Sequence, residues 1–153
     1  MTSDALVDAL VRSTFQVAGM LTRIGARHDL SFTQLRVLGI LRDRRPRMTE
    51  LACFLGLDKS TMSGLIDRAE RRGLVTRDRN PEDRRVVDVV ITPAGRELME
   101  QVYEEICSAL EPVTTGLGPE RHDRLVELLD AARGFGGPPP DGPDVREPGR
   151  ASS

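Results

Sequence analysis

Cysteine is scarce in this chain of 153 residues: only Cys53 and Cys107 are present. Two isolated thiols build no disulfide framework. Histidine is equally rare, at His28 and His122. No two of these four residues share a helical face at ligand spacing, so no metal is expected. No acid, base and nucleophile motif surrounds them, and no glycine-rich phosphate loop occurs. The sequence therefore reads as a non-enzyme without a cofactor. No apolar run approaches the roughly 18 residues of a membrane helix. The opening Met1-Thr2-Ser3-Asp4 also lacks the basic-then-apolar chemistry of a leader, so a cytoplasmic protein with no membrane partner is expected. Lysine is reduced to Lys59, beside 21 arginines, and Asn80 is the only asparagine. The overall formal charge is −2. Any contact with nucleic acid must then come from a local basic patch.

Such a patch exists. From Lys59 to Arg85 eight basic residues (Lys59, Arg68, Arg71, Arg72, Arg77, Arg79, Arg84, Arg85) face five acidic ones, a net +3. Asp58 has the side chain of a helix N-cap, and Leu65, Ile66 and Ala69 give the helix that follows an apolar stripe. Gly73 suits its end, because glycine adopts the left-handed conformation found just past a helix C-terminus. Leu74–Arg77 and Val86–Ile91 are β-branched runs around Asp78–Arg85, where Asn80-Pro81 reads as a turn. Upstream, Thr49 to Leu55 forms a short helix, and Gly56-Leu57 turns into the Asp58 helix. Two short helices and a tight turn make a helix-turn-helix, and the hairpin behind it makes a wing. Small polar residues at the start of the second helix fit a major groove. An arginine-rich hairpin fits phosphates or the adjacent minor groove. The contrary reading of such a charge run is a solvated surface, but it leaves the crowding of four arginines on one hairpin unexplained.

The flanks are helical. From Asp4 to about Arg27, Leu6, Leu10, Val17, Leu21 and Ile24 recur near helical spacing, and Val11, Phe15 and Met20 widen the stripe. The resulting helix is ~35 Å long, more than a small winged helix needs for its core. Ser31 and Gln34 fit a capping box before the apolar Leu35–Leu41 helix, and Pro46 punctuates the loop after it. Thr92-Pro93 starts a helix expected to reach Glu111, with Pro112 and Gly116-Leu117-Gly118 as its break. Pro119 opens a last helix, with Leu125, Leu128 and Leu129 on one side. The segment 134–153 is glycine, proline and charge, the composition of a disordered tail.

Read in order, Leu30-Ser31 with Gln34 and Val37-Leu38, Glu50-Leu51-Ala52, Ser60-Thr61-Met62-Ser63, Ile66-Asp67-Arg68, Arg72-Gly73-Leu74-Val75, Asp83-Arg84-Arg85 and Ile91-Thr92-Pro93-Ala94-Gly95 resemble the MarR family of bacterial transcription regulators. The resemblance covers about Leu6 to Arg133. It implies a mainly α fold with a small β-hairpin wing. Residues 1–30 would be a dimerisation helix, 31–92 a winged helix-turn-helix DNA-binding domain and 93–133 the C-terminal dimerisation helices. It implies a homodimer on palindromic double-stranded operator DNA, acting most simply as a repressor. The recognition helix (about 58–72) would lie in the major groove and the wing (about 74–91) in the minor groove, with a small-molecule effector releasing the DNA.

Carried onto this sequence, Ser60, Thr61 and Ser63 would meet bases and phosphates and Lys59 the backbone. Arg85 would enter the minor groove, Arg79 and Arg84 would meet phosphates, and Arg68 and Arg77 would complete the basic face. The alternative for the hydroxyls is capping of the helix start. Asp67 is expected to pair with Arg85 or Arg68, and it and Asp83 to position the wing. Phe15, Met20 and His28 are candidates for the effector pocket. Gly64 departs from the longer side chain common in the family, and Ala69 from the usual Leu. Two other readings compete. One is a winged helix that docks an acidic protein partner. The other is a thiol-based redox sensor: Cys53 is expected to be packed and inert and Cys107 more exposed, and the resemblance speaks against this reading, because it implies that peroxide-sensing members keep their cysteine in or near the first helix, which here has none.

Overall fold

The computed structural model describes residues 4–132. Six helices and one hairpin follow the order α1 (Ala5–Arg27), α2 (Phe32–Asp43), α3 (Met48–Leu55), α4 (Lys59–Arg71), β1 (Val75–Arg79), β2 (Val87–Ile91), α5 (Pro93–Gly116) and α6 (Pro119–Ala131). The tail expected at 134–153 lies outside the described residues.

Local chemistry sets most of these boundaries. Ser31 accepts from the Gln34 N–H at 3.1 Å and Gln34 accepts from the Ser31 N–H at 2.8 Å, so the capping box is complete. Thr92 caps α5 through the Gly95 N–H at 3.0 Å. Gly73 follows α4 at φ +72, where a Cβ would be strained. Gly95 is fixed by close approach, because a Cβ there would fall on the Leu74 carbonyl oxygen.

The core lies under the helix-turn-helix and hairpin. Leu38, Leu41, Leu51, Met62, Ile66, Val75 and Val89 are fully buried there, and Val102 extends the core into α5. β1 and β2 pair antiparallel, from Val75 opposite Ile91 to Arg79 opposite Val87. The loop before α3 adds a short edge: Arg47 bridges Asp88, and the Val89 N–H donates to the Pro46 carbonyl at 2.9 Å. At the far end of α4, Arg72 donates to the carbonyls of His28 (2.9 Å) and Asp29 (2.8 Å), tying α4 to the α1–α2 corner.

Three expectations need correction. The fifth helix runs through Pro112 to Gly116 instead of stopping at Glu111. Pro112 removes one N–H donor, but its stretch of helix is exposed, so the Ser108 carbonyl that loses its partner is open to water. The strands are Val75–Arg79 and Val87–Ile91, later at both starts than expected, because Leu74 still belongs to the turn. Cys53, expected to be packed, is exposed on α3, like Cys107 on α5. Its neighbours Leu51 and Ala52 take the inward face of that short helix.

Candidate nucleic-acid interface

The start of α4 is organised by Asp58. Its carboxylate accepts from the Thr61 N–H at 2.7 Å and from the Ser60 and Thr61 hydroxyls, each at 3.1 Å. These bonds, the Thr61 N–H first, hold the Asp58 carboxyl below its ordinary range. In the free protein Asp58 is itself the cap, and the two hydroxyls donate to its carboxylate instead of accepting from the backbone, as the alternative reading would have them do. They stay exposed, as Lys59 does, and a hydroxyl donating to Asp58 can still accept a bond. Ser63 is half-buried, with its Oγ 3.4 Å from Arg77 Nη2.

The wing is pinned to α4 by a residue placed elsewhere by the sequence reading. Asp67 pairs neither with Arg85 nor with Arg68 but with Arg77, at 2.7 Å. Adjacent helix positions point about 100° apart, so Asp67 and Arg68 cannot face each other. Arg77 stands on β1 against the flank of α4, where Glu70 takes its Nη1 (3.1 Å) and its backbone N–H (3.1 Å). Arg77, expected to meet DNA, is therefore a half-buried bracket between helix and wing, its side chain 26% exposed.

The wing turn presents the other arginines. Arg79 donates to the Arg84 carbonyl at 2.9 Å and braces the turn. Arg84 is exposed, and among the described residues its guanidinium has no hydrogen-bond partner. Arg85 is 91% exposed and rests bidentate on Asp83, at 3.1 and 3.3 Å. The Arg85 side chain and N–H lower the Asp83 carboxyl below its usual range. Asp83 is thus joined to the most exposed wing arginine, the contact through which its expected wing-positioning would act. Arg68 and Lys59 are likewise exposed. Between wing and helix runs an open groove of about 440 Å³. Arg47, Lys59 and Arg85 stand among its lining, around an apolar floor that includes Met48, Met62 and Val87. Arg47 was not singled out from the sequence.

A second group also went unnoticed. Asp88, 2% exposed, is the one buried charged residue among the described residues. It accepts from Arg45 Nε at 3.0 Å and from the Asn80 amide at 3.0 Å. The available signal was an acid inside the apolar run Val86–Ile91.

The effector candidates do not converge within one chain. Phe15 on α1 and His28, which caps the C-terminus of that helix, are 13 positions apart, about 20 Å along its axis. Phe15 is 73% exposed, Met20 packs on the core, and His28 Nε2 lies 2.6 Å from Glu105 on α5. His28, with Arg27 behind it, lowers the Glu105 carboxyl below its ordinary value.

The sequence profile of the MarR family matches residues 30–87. The HTH-type transcriptional regulator YdgG of Bacillus subtilis (strain 168) is 30% identical over 103 residues, 65% of this chain and 68% of that protein. The chain belongs to the MarR family. Another relative is the HTH-type transcriptional repressor YetL of the same organism, 31% identical over 68% of this chain and 64% of its own length. The match thus spans about two thirds of these relatives. Among solved structures, CouR from Rhodococcus jostii RHA1 bound to p-coumaroyl-CoA superposes with a TM-score of 0.72 at 25% identity, over 94% of this chain and 96% of that one. NadR in complex with 4-hydroxyphenylacetate shares the fold at a TM-score of 0.71 and 22% identity, over 86% and 94%. The two sequence relatives are named regulators of transcription, one of them a repressor, and the two superposed structures each hold an organic ligand. The helical fold with its antiparallel hairpin is the MarR winged helix.

Proposed function

We propose that this MarR regulator binds palindromic operator DNA as a homodimer, represses transcription, and is released by a small organic effector. One observation carries the reading. The Asp67–Arg77–Glu70 bracket holds the wing rigidly beside α4, so exposed Lys59, Ser60 and Thr61 and the wing arginines Arg84 and Arg85 form one surface. A helix start of small polar residues enters a major groove, and the Arg85 guanidinium reaches the flanking minor groove. Arg84 and Lys59 take phosphates, and Arg79 braces the wing.

Dimerisation supplies the second half-site. One recognition helix covers too few base pairs for specificity, whereas two heads ~34 Å apart reach successive major grooves on one face of the duplex. Leu6, Leu10 and Phe15 on α1 and Leu125, Leu128 and Leu129 on α6, all exposed in the single chain, form the seam. The structures seen with p-coumaroyl-CoA and 4-hydroxyphenylacetate, which share a 4-hydroxyphenyl group, support a phenolic effector. Among the described residues no helix is long and apolar enough to cross a membrane, and the regulator works where the genome lies, in the cytoplasm.

The test is selection of bound duplexes from genomic fragments, followed by a gel shift with competitor DNA. A retained, palindromic sequence supports the reading. Binding that competitor removes at once favours the other use of a basic wing, docking on an acidic protein.

A further inference from the structure

We propose that Asp88 is a positioning residue for the wing arginine Arg85, acting through Asn80 and Asp83. The inference rests on the reading that Arg85 contacts DNA, and it adds residues that neither the family motifs nor the basic surface contain.

The chain of contacts is continuous. Asp88 stands on β2 with its side chain buried, where Arg45 Nε donates to its Oδ2 at 3.0 Å and Asn80 Nδ2 donates to Oδ1 and Oδ2 at 3.0 and 3.2 Å. The other end of the Asn80 amide faces the turn, where its Oδ1 accepts from the N–H groups of Glu82 (2.9 Å) and Asp83 (3.2 Å). Asp83 in turn accepts the Arg85 N–H and Nε through Oδ1, each at 3.1 Å. Backbone bonds close the turn around this line: Asn80 N–H to the Val86 carbonyl at 2.8 Å and Val86 N–H to the Asp83 carbonyl at 3.0 Å. Arg45 anchors the base, since its Nη2 also reaches Asp78 on β1 at 3.4 Å.

The chemistry explains why each residue type is needed. A carboxylate at position 88 can only accept, so both of its neighbours must be donors. Asparagine has a donor end for that carboxylate and an acceptor end for two N–H groups, and its short side chain spans the distance. Arg85 itself is 91% exposed, so no packing aims it. Its direction comes from Asp83, whose place is set by Asn80, whose amide is held in one orientation by Asp88. A long arginine already aimed toward the minor groove loses less freedom on binding than a free one.

The line can be cut and then repaired. Asp88→Asn turns a donor toward the Asn80 amide. Asn80→Asp sets two carboxylates against each other. Together the two substitutions restore complementarity: the amide at position 88 accepts from Arg45 and donates to the carboxylate at position 80, which still accepts the two turn N–H groups. Binding is read by fluorescence anisotropy over a salt series, on a labelled duplex selected by this protein. Circular dichroism and sedimentation check fold and assembly. Each single variant should bind about tenfold more weakly, with a salt slope lower by about one, as should Arg85→Ala. Arg85→Ala added to Asp88→Asn should weaken binding no further, and the double swap should return affinity to within about twofold of the unaltered protein.

The inference is overturned if folded Asp88→Asn and Asn80→Asp bind with the original affinity and slope while Arg85→Ala does not. It is equally overturned if the swap restores melting temperature but not binding, or if the losses at positions 85 and 88 add. A silent Arg85→Ala would remove the wing's DNA role, and this inference with it. Should Asp88→Asn fail to fold, Asn80→Ala in the half-exposed turn carries the test: a reduced slope supports the line, and an unchanged slope refutes it.

Discussion

The reading head and the helical arms use the same residue types to opposite ends. In the head, Met62 and Ile66 on α4 and Val75 and Val89 on the hairpin are completely buried within one chain. In the arms, Leu6 is 65% exposed and Phe15 73%, and α6 contains no buried residue. Apolar surface removed from water contributes roughly 25 cal/mol per Å². The head has collected that contribution in the single chain, and the arms collect it only against another surface. A MarR head is thus a finished object, while the arms leave apolar surface uncovered in the single chain.

The contrast predicts which substitutions act on assembly and which on folding. The largest effect belongs to the arms. Leu10→Asp with Leu129→Asp should yield a monomer by sedimentation while the head keeps its circular dichroism, and operator affinity should fall on the order of a thousandfold as the second half-site is lost. A dimer that survives this pair would erase the distinction. Next comes the head: Ile66→Ala should lower unfolding free energy by about 3 kcal/mol in denaturant, because the surrounding core cannot close on the space left. Gly64→Ala should do the reverse, adding about 1 kcal/mol of helix stability. A Cβ there meets nothing within 4 Å. Weaker DNA binding by this stabilised variant would show that Gly64 serves close approach to the duplex.

The smallest effect concerns the link between arms and head. Glu105 bonds His28 first and Arg27 second, so its folded-state carboxyl titrates below the ordinary 4.5. A depressed carboxyl contributes stability above its unfolded value and loses that contribution as pH falls through the folded one. Thermal melts of the natural protein should therefore lose stability below about pH 4.5 more steeply than those of Glu105→Gln. Parallel acid limbs would remove the His28–Glu105 bond as a contributor.

What could be read from the sequence was local. Ser31 with Gln34, Thr92-Pro93 and Gly73 announce element ends within a few residues, and each stands where expected. The net +3 stretch likewise located the candidate surface. Contacts across the chain were illegible: Asp67 with Arg77 is a choice among several arginines that only the crossing of β1 over α4 decides. Asp88 looked like an interruption of a valine run because its partners, Arg45 and Asn80, lie 43 and 8 positions away. Exposure of Cys53 follows from which way one short helix rolls, and its apolar neighbours did not determine that. Phe15, Met20 and His28 lie spread along α1 and its C-terminal cap, so a cavity between a dimer seam and the winged helix would be legible only with both subunits present.

Two finished heads held apart by joined arms should read one face of DNA. Hydroxyl-radical footprinting on a selected duplex tests it most directly. Two symmetric protected patches about 10 base pairs apart are expected, with binding lost when about five base pairs are inserted between them and regained when about ten are. A single protected patch, or binding indifferent to the insertion, would contradict it.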